Sequence, residues 1–193
     1  MQKIYIINGG KKMWGSEGKL SDYLTKVAEK KLKDLGYEVS SIKIDNGYNV
    51  EEEADKIIAS DCIIWQFPIW WMAEPWIVKK YIDEVFMEVF GKTGGSDGRH
   101  RVNPTANYGH GGNLHIKYMF STTWNAPAQA FDGKGEFLDG GIDKVLFPMH
   151  KAMEFVGMEA FPSFMCNDVI KNPQIDADIE RYKKHLEKIF EKE

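Results

Sequence analysis

Ser60-Asp61-Cys62-Ile63-Ile64-Trp65-Gln66-Phe67-Pro68-Ile69-Trp70-Trp71-Met72-Ala73-Glu74-Pro75-Trp76 is the stretch that decides the fold. Its first half, Cys62 to Phe67, is a short and nearly continuous apolar run ended by Pro68, as expected of a strand buried on both faces. Its second half turns through Trp70, Trp71 and Met72 to Pro75. That proline opens a helical pattern at the place where a missing N–H costs least. Four of the 6 tryptophans, Trp65, Trp70, Trp71 and Trp76, fall in this strand-to-helix turn. In open α/β sheets, ligands bind outside the carboxyl ends of the strands. Large flat side chains gathered there point to a flat ligand.

The same strand-then-helix unit recurs on either side. Lys3 to Ile7 reads as a buried strand stopped by Asn8-Gly9-Gly10. Leu20, Leu24, Val27, Ala28, Leu32 and Leu35 recur with helical spacing, and Gly36 supplies the stop. Tyr37 to Ile44 is rich enough in β-branched residues for a second strand, although its alternation is imperfect. Val50 to Ala59, with acids at its start, is a short helix. From Pro75, the residues Ile77, Val78, Tyr81, Ile82, Val85, Phe86 and Val89 continue one helix face. Gly91 to Asn113 then holds seven glycines and is expected to be a long loop, of the kind that is usually functional or disordered. Lys117 to Thr123 is a fourth strand, and a second glycine-rich loop follows it. Val145 to Val156 reads as a helix around Pro148, Ala160 to Val169 as a weaker fifth strand, and Asp176 to Lys192 as a charged terminal helix. This alternation predicts one α/β domain over residues 1–193. The expected architecture is a flavodoxin-like, doubly wound, five-stranded parallel sheet of order 2-1-3-4-5 with helices on both faces.

Bulk properties narrow the function. A net charge of −4 with no basic block argues against nucleic acid. No apolar run is long enough for a membrane span, and the N-terminus does not read as a signal peptide. Cys62 and Cys166 sit in apolar, strand-like contexts without metal-ligand spacing, so two buried thiols in a cytoplasmic protein are expected, and no metal.

In the order 2-1-3-4-5 the loops after strands 1, 3 and 4 meet along one edge of the sheet. The first contains Gly15-Ser16-Glu17-Gly18-Lys19-Leu20-Ser21 just before a helix. Small residues there admit a ligand, and the free N–H groups of a helix start favour an anion. The plainer reading is that Ser16 is an N-cap and Gly18 a turn. The second loop is the Trp-rich turn, where adjacent Trp70 and Trp71 cannot both point inward. The third offers the hydroxyls of Thr122 and Thr123, the flat face of Trp124 and the amide of Asn125.

At these residues the chain resembles the flavodoxin-like NAD(P)H:quinone oxidoreductase family, with its nearest likeness to the bacterial modulator of drug activity B group. The resemblance rests on Ile-Ile-Asn-Gly near the start, Asp-Tyr-Leu in the first helix and Gln-Phe-Pro-Ile-Trp-Trp-Met-Ala-Glu-Pro-Trp. Val-Lys-Lys-Tyr-Ile-Asp-Glu-Val-Phe, Ser-Asp-Gly-Arg, Tyr-Gly-His-Gly-Gly, Thr-Trp-Asn-Ala-Pro and Asn-Asp-Val-Ile-Lys follow in order. It implies a homodimer that carries FAD and passes two electrons as hydride, through flavin N5, from NADPH or NADH to a quinone or other small aromatic acceptor in ping-pong fashion. Carried over by motif, Ser16, Gly18, Lys19, Leu20 and Ser21 would bind pyrophosphate. The flavin ring would lie against Pro68, Ile69, Trp70, Trp71 and Met72. Thr123, Trp124, Asn125 and Ala126 would meet the ring's polar edge, with N–H groups of the Trp124 loop facing its negative charge.

Tyr108 would line the substrate side and orient substrate or supply a proton; the plain alternative is a loop tyrosine packed at a dimer interface. The tyrosine–histidine relay of the mammalian quinone reductases has no counterpart in the residues after Thr123. His110 and His115 lie in or beside the long loop and could approach the flavin, whereas His100 and His185 read as solvated and His150 as structural. Arg99, His100 and Arg101 suit either a phosphate or a solvated flap. An FMN-dependent azo- or nitroreductase, a flavodoxin-type electron carrier and a non-catalytic partner-binding protein are the rival readings.

Overall fold

A computed structural model describes residues 2–133 and 135–191. Its sheet is parallel throughout, with β1 (Lys3–Asn8) between β2 (Glu38–Lys43) and β3 (Cys62–Pro68), and β4 (Lys117–Thr123) on the far side of β3. The order 2-1-3-4-5 expected from the alternating pattern is therefore the order observed. Period-two alternation divides the strands between two cores. Ile4, Ile6, Cys62, Ile64 and Met119 face one, beneath α1 (Lys19–Asp34) and α6 (Ile175–Phe190). Tyr5, Ile7, Ile63, Trp65, Phe67, Tyr118 and Phe120 face the other, beneath α2 (Val50–Ile58) and α3 (Trp76–Thr93). β2 is the edge strand and has no fully buried residue, which accounts for its imperfect alternation.

Three boundaries differ from the sequence expectation. The fifth strand is split into β5 (Glu159–Ala160) and β6 (Phe164–Cys166), both paired with β4. Lys117 pairs with Glu159 but Ser121 pairs with Phe164, so one extra residue is accommodated around Pro162, which has no N–H for the ladder. The strand also stops at Cys166 rather than Val169, because Asp168 turns left-handed with φ 51°. The helix around Pro148 is two helices, α4 (Gly141–Val145) and α5 (Phe147–Phe155), and the proline sits in the first turn of α5. The last residue of the expected terminal helix, Lys192, lies outside the described residues.

The long glycine segment is shorter and better tied than its composition suggests. α3 runs on to Thr93 and is closed by Gly94 in the left-handed region. Beyond it, Ser96 N–H donates to Gly111 O and Gly109 N–H to Asp97 O, each at 2.8 Å. Gly112 lies so close to the end of α5 that a Cβ would come within 2.3 Å of the Val156 backbone. Glycine there permits chain-on-chain packing.

Candidate functional site

A cavity of about 920 Å³ opens at the carboxyl ends of β1, β3 and β4. Three loops build it, and each has a local reason for its shape. After β1, Asn8 is almost fully buried; its carbonyl oxygen accepts Gly10 N–H and its amide donates to Asp22, both at 2.8 Å. The loop then makes a tight turn in which Met13 and Ser16 exchange N–H···O bonds of 3.0 Å. It enters α1 through Gly18, whose φ of 70° suits glycine. The first intrahelical bond runs from Asp22 N–H to Gly18 O at 3.1 Å, leaving the N–H groups of Lys19, Leu20 and Ser21 without helical partners. With the helix dipole behind them they form an anion cradle. Lys19 pairs with Glu17 on the exposed rim, and that hydrogen bond holds the Glu17 carboxyl below its usual range and the Lys19 ammonium above it.

After β3 the chain reverses sharply. Trp70 N–H donates to Ala73 O at 2.9 Å and Ala73 N–H to Trp70 O at 3.1 Å. Between them Trp71 and Met72 have φ of 52° and 64°, the geometry of a type I′ turn that normally calls for Asn and Gly. Two bulky residues in the left-handed region are strain of the kind found at ligand clamps. The strain turns the Trp71 ring into solvent, 96% exposed, on the cavity wall.

The third loop corrects one expectation. The Trp124 indole is 2% exposed, packed edge-on to Phe131 and donating to Thr122 Oγ1 at 2.8 Å. Its backbone N–H is also used, donating to Cys166 O at 2.8 Å. Neither the flat face nor that N–H is available to a ligand, because the parallel ladder continues one residue past β4 and turns the ring inward. Among the described residues, the N–H groups of Asn125 and Ala126 have no such partner. Val169 N–H to Trp124 O and Asp168 N–H to Ala126 O, each 3.1 Å, fold the segment after β6 onto this loop and deliver Val169 and Ile170 to the cavity.

Of the residues singled out in the sequence, Ser16, Gly18, Lys19, Leu20, Ser21, Pro68, Ile69, Trp70, Trp71, Thr123 and Asn125 line this one cavity. Met72, Trp124 and Ala126 stand outside its lining, Met72 as the partner of Trp71 in the turn. Tyr108 is elsewhere, in a second hollow of about 460 Å³ between α3 and α5, its ring 5.8 Å from that of Phe155. Arg99 lies 5.6 Å above the Tyr108 ring and is paired with Asp97 at 2.6 Å, so it is not the free cation that its loop suggested. His115 stands just before β4 starts at Lys117, at the end of the sheet opposite the cavity. His150 is bound by Tyr118 at 2.6 Å and Asp143 at 3.2 Å, a structural arrangement. His185 is not simply solvated; its Nε2 meets Pro162 O at 2.9 Å.

Sequence reasoning missed Met13, Trp14, Val169 and Ile170 in the lining. Trp14 had a signal, a tryptophan that has only Met13 as an apolar neighbour in an otherwise polar, glycine-bearing loop. Val169 read as the end of a strand, and Ile170 as the residue beyond it.

Cys62 and Cys166 are buried free thiols, and burial pushes Cys166 up to about 12. Among the described residues no helix is long and apolar enough to cross a membrane.

Comparison with known proteins gives the chain a family and a set of relatives. The chain matches the family described as Flavodoxin-like fold over residues 2–189. It is 49% identical over 189 residues to the NADPH:quinone oxidoreductase MdaB of Haemophilus influenzae, covering 97% of this chain and 98% of that protein. Among solved structures, a putative quinone reductase from Klebsiella pneumoniae superposes with a TM-score of 0.74 at 21% identity, covering 100% of this chain and 86% of the other. An azoreductase from Bacillus anthracis gives 0.65 at 13% identity, covering 99% of each chain, a likeness of fold.

Proposed function

The chain belongs to the flavodoxin-like fold family, within the NAD(P)H:quinone oxidoreductase MdaB group, and is an oxidoreductase; on that premise we propose that it is an FAD-dependent reductase of quinones that uses NADPH or NADH. The observation that carries this reading is the pairing, in one cavity, of an N–H cradle at the start of α1 with an exposed indole held on a strained turn. These suit the pyrophosphate and the isoalloxazine of a flavin. A bound flavin would supply the redox chemistry, accepting hydride from the nicotinamide and passing it to the quinone.

The chain's own residues bind and orient. The N–H groups of Lys19, Leu20 and Ser21 hold pyrophosphate oxygens, with the Ser16 and Ser21 hydroxyls beside them. Trp71 covers one ring face, and Pro68, Ile69 and Trp70 form the apolar edge that excludes water. Thr123 and the free N–H and amide of Asn125, on the cavity lining, would face the polar edge of such a ring and donate to negative charge there. Trp124 serves by buttressing that loop from behind. A ring held in this way would leave its other face to nicotinamide and quinone in turn, which suits ping-pong kinetics.

A homodimer fits the exposed apolar face of α3 and α5, where Met87 and Tyr108 line one hollow and Phe147 is exposed at the start of α5. In that assembly Tyr108 would either serve substrate or pack at the interface. Two buried thiols without a disulfide suit a cytoplasmic setting.

The decisive test is a spectrum of purified protein with added FAD, taken anaerobically before and after NADPH. Bleaching of the flavin bands, reversed by a quinone, is expected; bound flavin that NADPH leaves unbleached refutes the reading. FMN is the rival cofactor. Releasing the bound flavin and treating it with phosphodiesterase separates them, since FAD brightens on cleavage and FMN does not.

A further inference from the structure

Trp14 has an exposed indole that nothing in the chain's own packing explains. The side chain is 94% exposed, and its φ of 54° lies in the left-handed region. The turn beneath it is braced by the reciprocal Met13–Ser16 hydrogen bonds of 3.0 Å, so the ring is held out rather than merely left out. Strained backbone and a large apolar surface in water both act against stability. Trp76 is also exposed, but Lys11 Nζ lies 5.5 Å over its ring. Among the described residues Trp14 has neither a ring nor a cation against it.

The indole lines the same cavity as Trp71, the other tryptophan held left-handed and bare, at 96% exposure. One comes from the turn after β1 and the other from the turn after β3, and the N–H cradle at Lys19–Ser21 belongs to the same lining. The cavity, about 920 Å³, is near the upper end of the roughly 300–1,000 Å³ common for small-molecule sites. Two unpartnered flat platforms and one anion cradle in a single hollow match a ligand with two ring systems joined by phosphates. A mononucleotide has a ring for only one of the platforms.

We propose that Trp14 is the platform on which the adenine of the dinucleotide stacks, the residue that makes this cavity select FAD over FMN. The inference rests on the flavin reading above and adds to it the element that measures cofactor length. Stacking needs only a π-face, so Phe at this position preserves most of the effect and Ala removes it.

The test is equilibrium binding to apoprotein by calorimetry, with FAD, FMN and ADP as separate probes. Trp14→Ala is expected to weaken FAD and ADP by about 5- to 100-fold, the range for loss of one base–aromatic stack, and to leave FMN unchanged. Trp14→Phe is expected to stay near wild type for all three. Equal losses for FAD and FMN, or no loss for either, overturn the proposal while the flavin reading stands. Wild-type protein that binds neither flavin overturns both. Because the side chain is almost fully exposed, the variants are expected to fold, and their apoprotein melting curves check it.

Discussion

Replacing Trp71 by Asn is expected to make the apoprotein more stable and the flavin complex weaker. The backbone at Trp71, φ 52°, is left-handed, which costs an ordinary L-residue about 1–2 kcal/mol. Asn tolerates that region far better and is a preferred residue of type I′ turns. The indole is 96% exposed, so almost no buried apolar surface is forfeited. The Trp70–Ala73 backbone bonds of 2.9 and 3.1 Å are untouched. A net gain of about 1 kcal/mol follows, or roughly 2–4 °C in Tm for a domain of this size. The melt must be run on flavin-free protein, since a ligand that binds only the native state raises Tm by mass action. In the same variant, loss of the ring contact is expected to raise the flavin Kd by about 10- to 100-fold, the size of an aromatic stacking contact. A Tm that falls by several degrees would show that the ring supports the fold and that the strain argument is wrong. A Tm that rises while flavin affinity stays constant would refute Trp71 as a cavity wall.

Two further outcomes test the body of the protein. Glu53 is 1% exposed and accepts from Tyr5 Oη at 2.6 Å, Tyr81 Oη at 2.8 Å and Lys56 Nζ at 2.7 Å. Glu53→Ala strands two buried hydroxyls and is expected to cost about 3 kcal/mol in urea unfolding, and Glu53→Gln, which keeps an acceptor, about 1 kcal/mol; near-equal losses would contradict this. His185 is held below its ordinary 6.5 chiefly by burial, against the raising effect of its Pro162 hydrogen bond. Its folded form therefore prefers the neutral ring, and the stability it contributes is present above pH 6.5 and lost as pH falls through the depressed folded value. His185→Gln is expected to flatten the fall of the urea midpoint between pH 7 and pH 5, and an unchanged slope would reject the assignment.

How much of this was legible beforehand depended on the range of the interactions concerned. Cys62–Phe67 read as a doubly buried strand because its periodicity is local, and β1, β4 and α1 were bounded the same way. The convergence of the loops followed from strand order alone. Tyr108 and Arg99 lie outside the cavity in this chain, which loop composition does not show because it carries no direction. Arg99 is held by Asp97, two residues away, and Tyr108 by Phe155, far along the chain.

Local patterning was enough for the alternating parallel sheet, its order, and the convergence of three loops at the Trp-rich turn. These rest on hydrophobic period and turn chemistry, which act over a few residues. Which way each tryptophan faces was set by backbone geometry and tertiary contacts. Trp124 is turned into the core by a ladder bond to Cys166, from a strand distant in sequence. Trp71 and Trp14 are turned out by left-handed backbone that their residue types do not favour. The same indole is therefore core in one loop and cavity wall in two others, because the backbone beneath each is set by partners that composition cannot reveal.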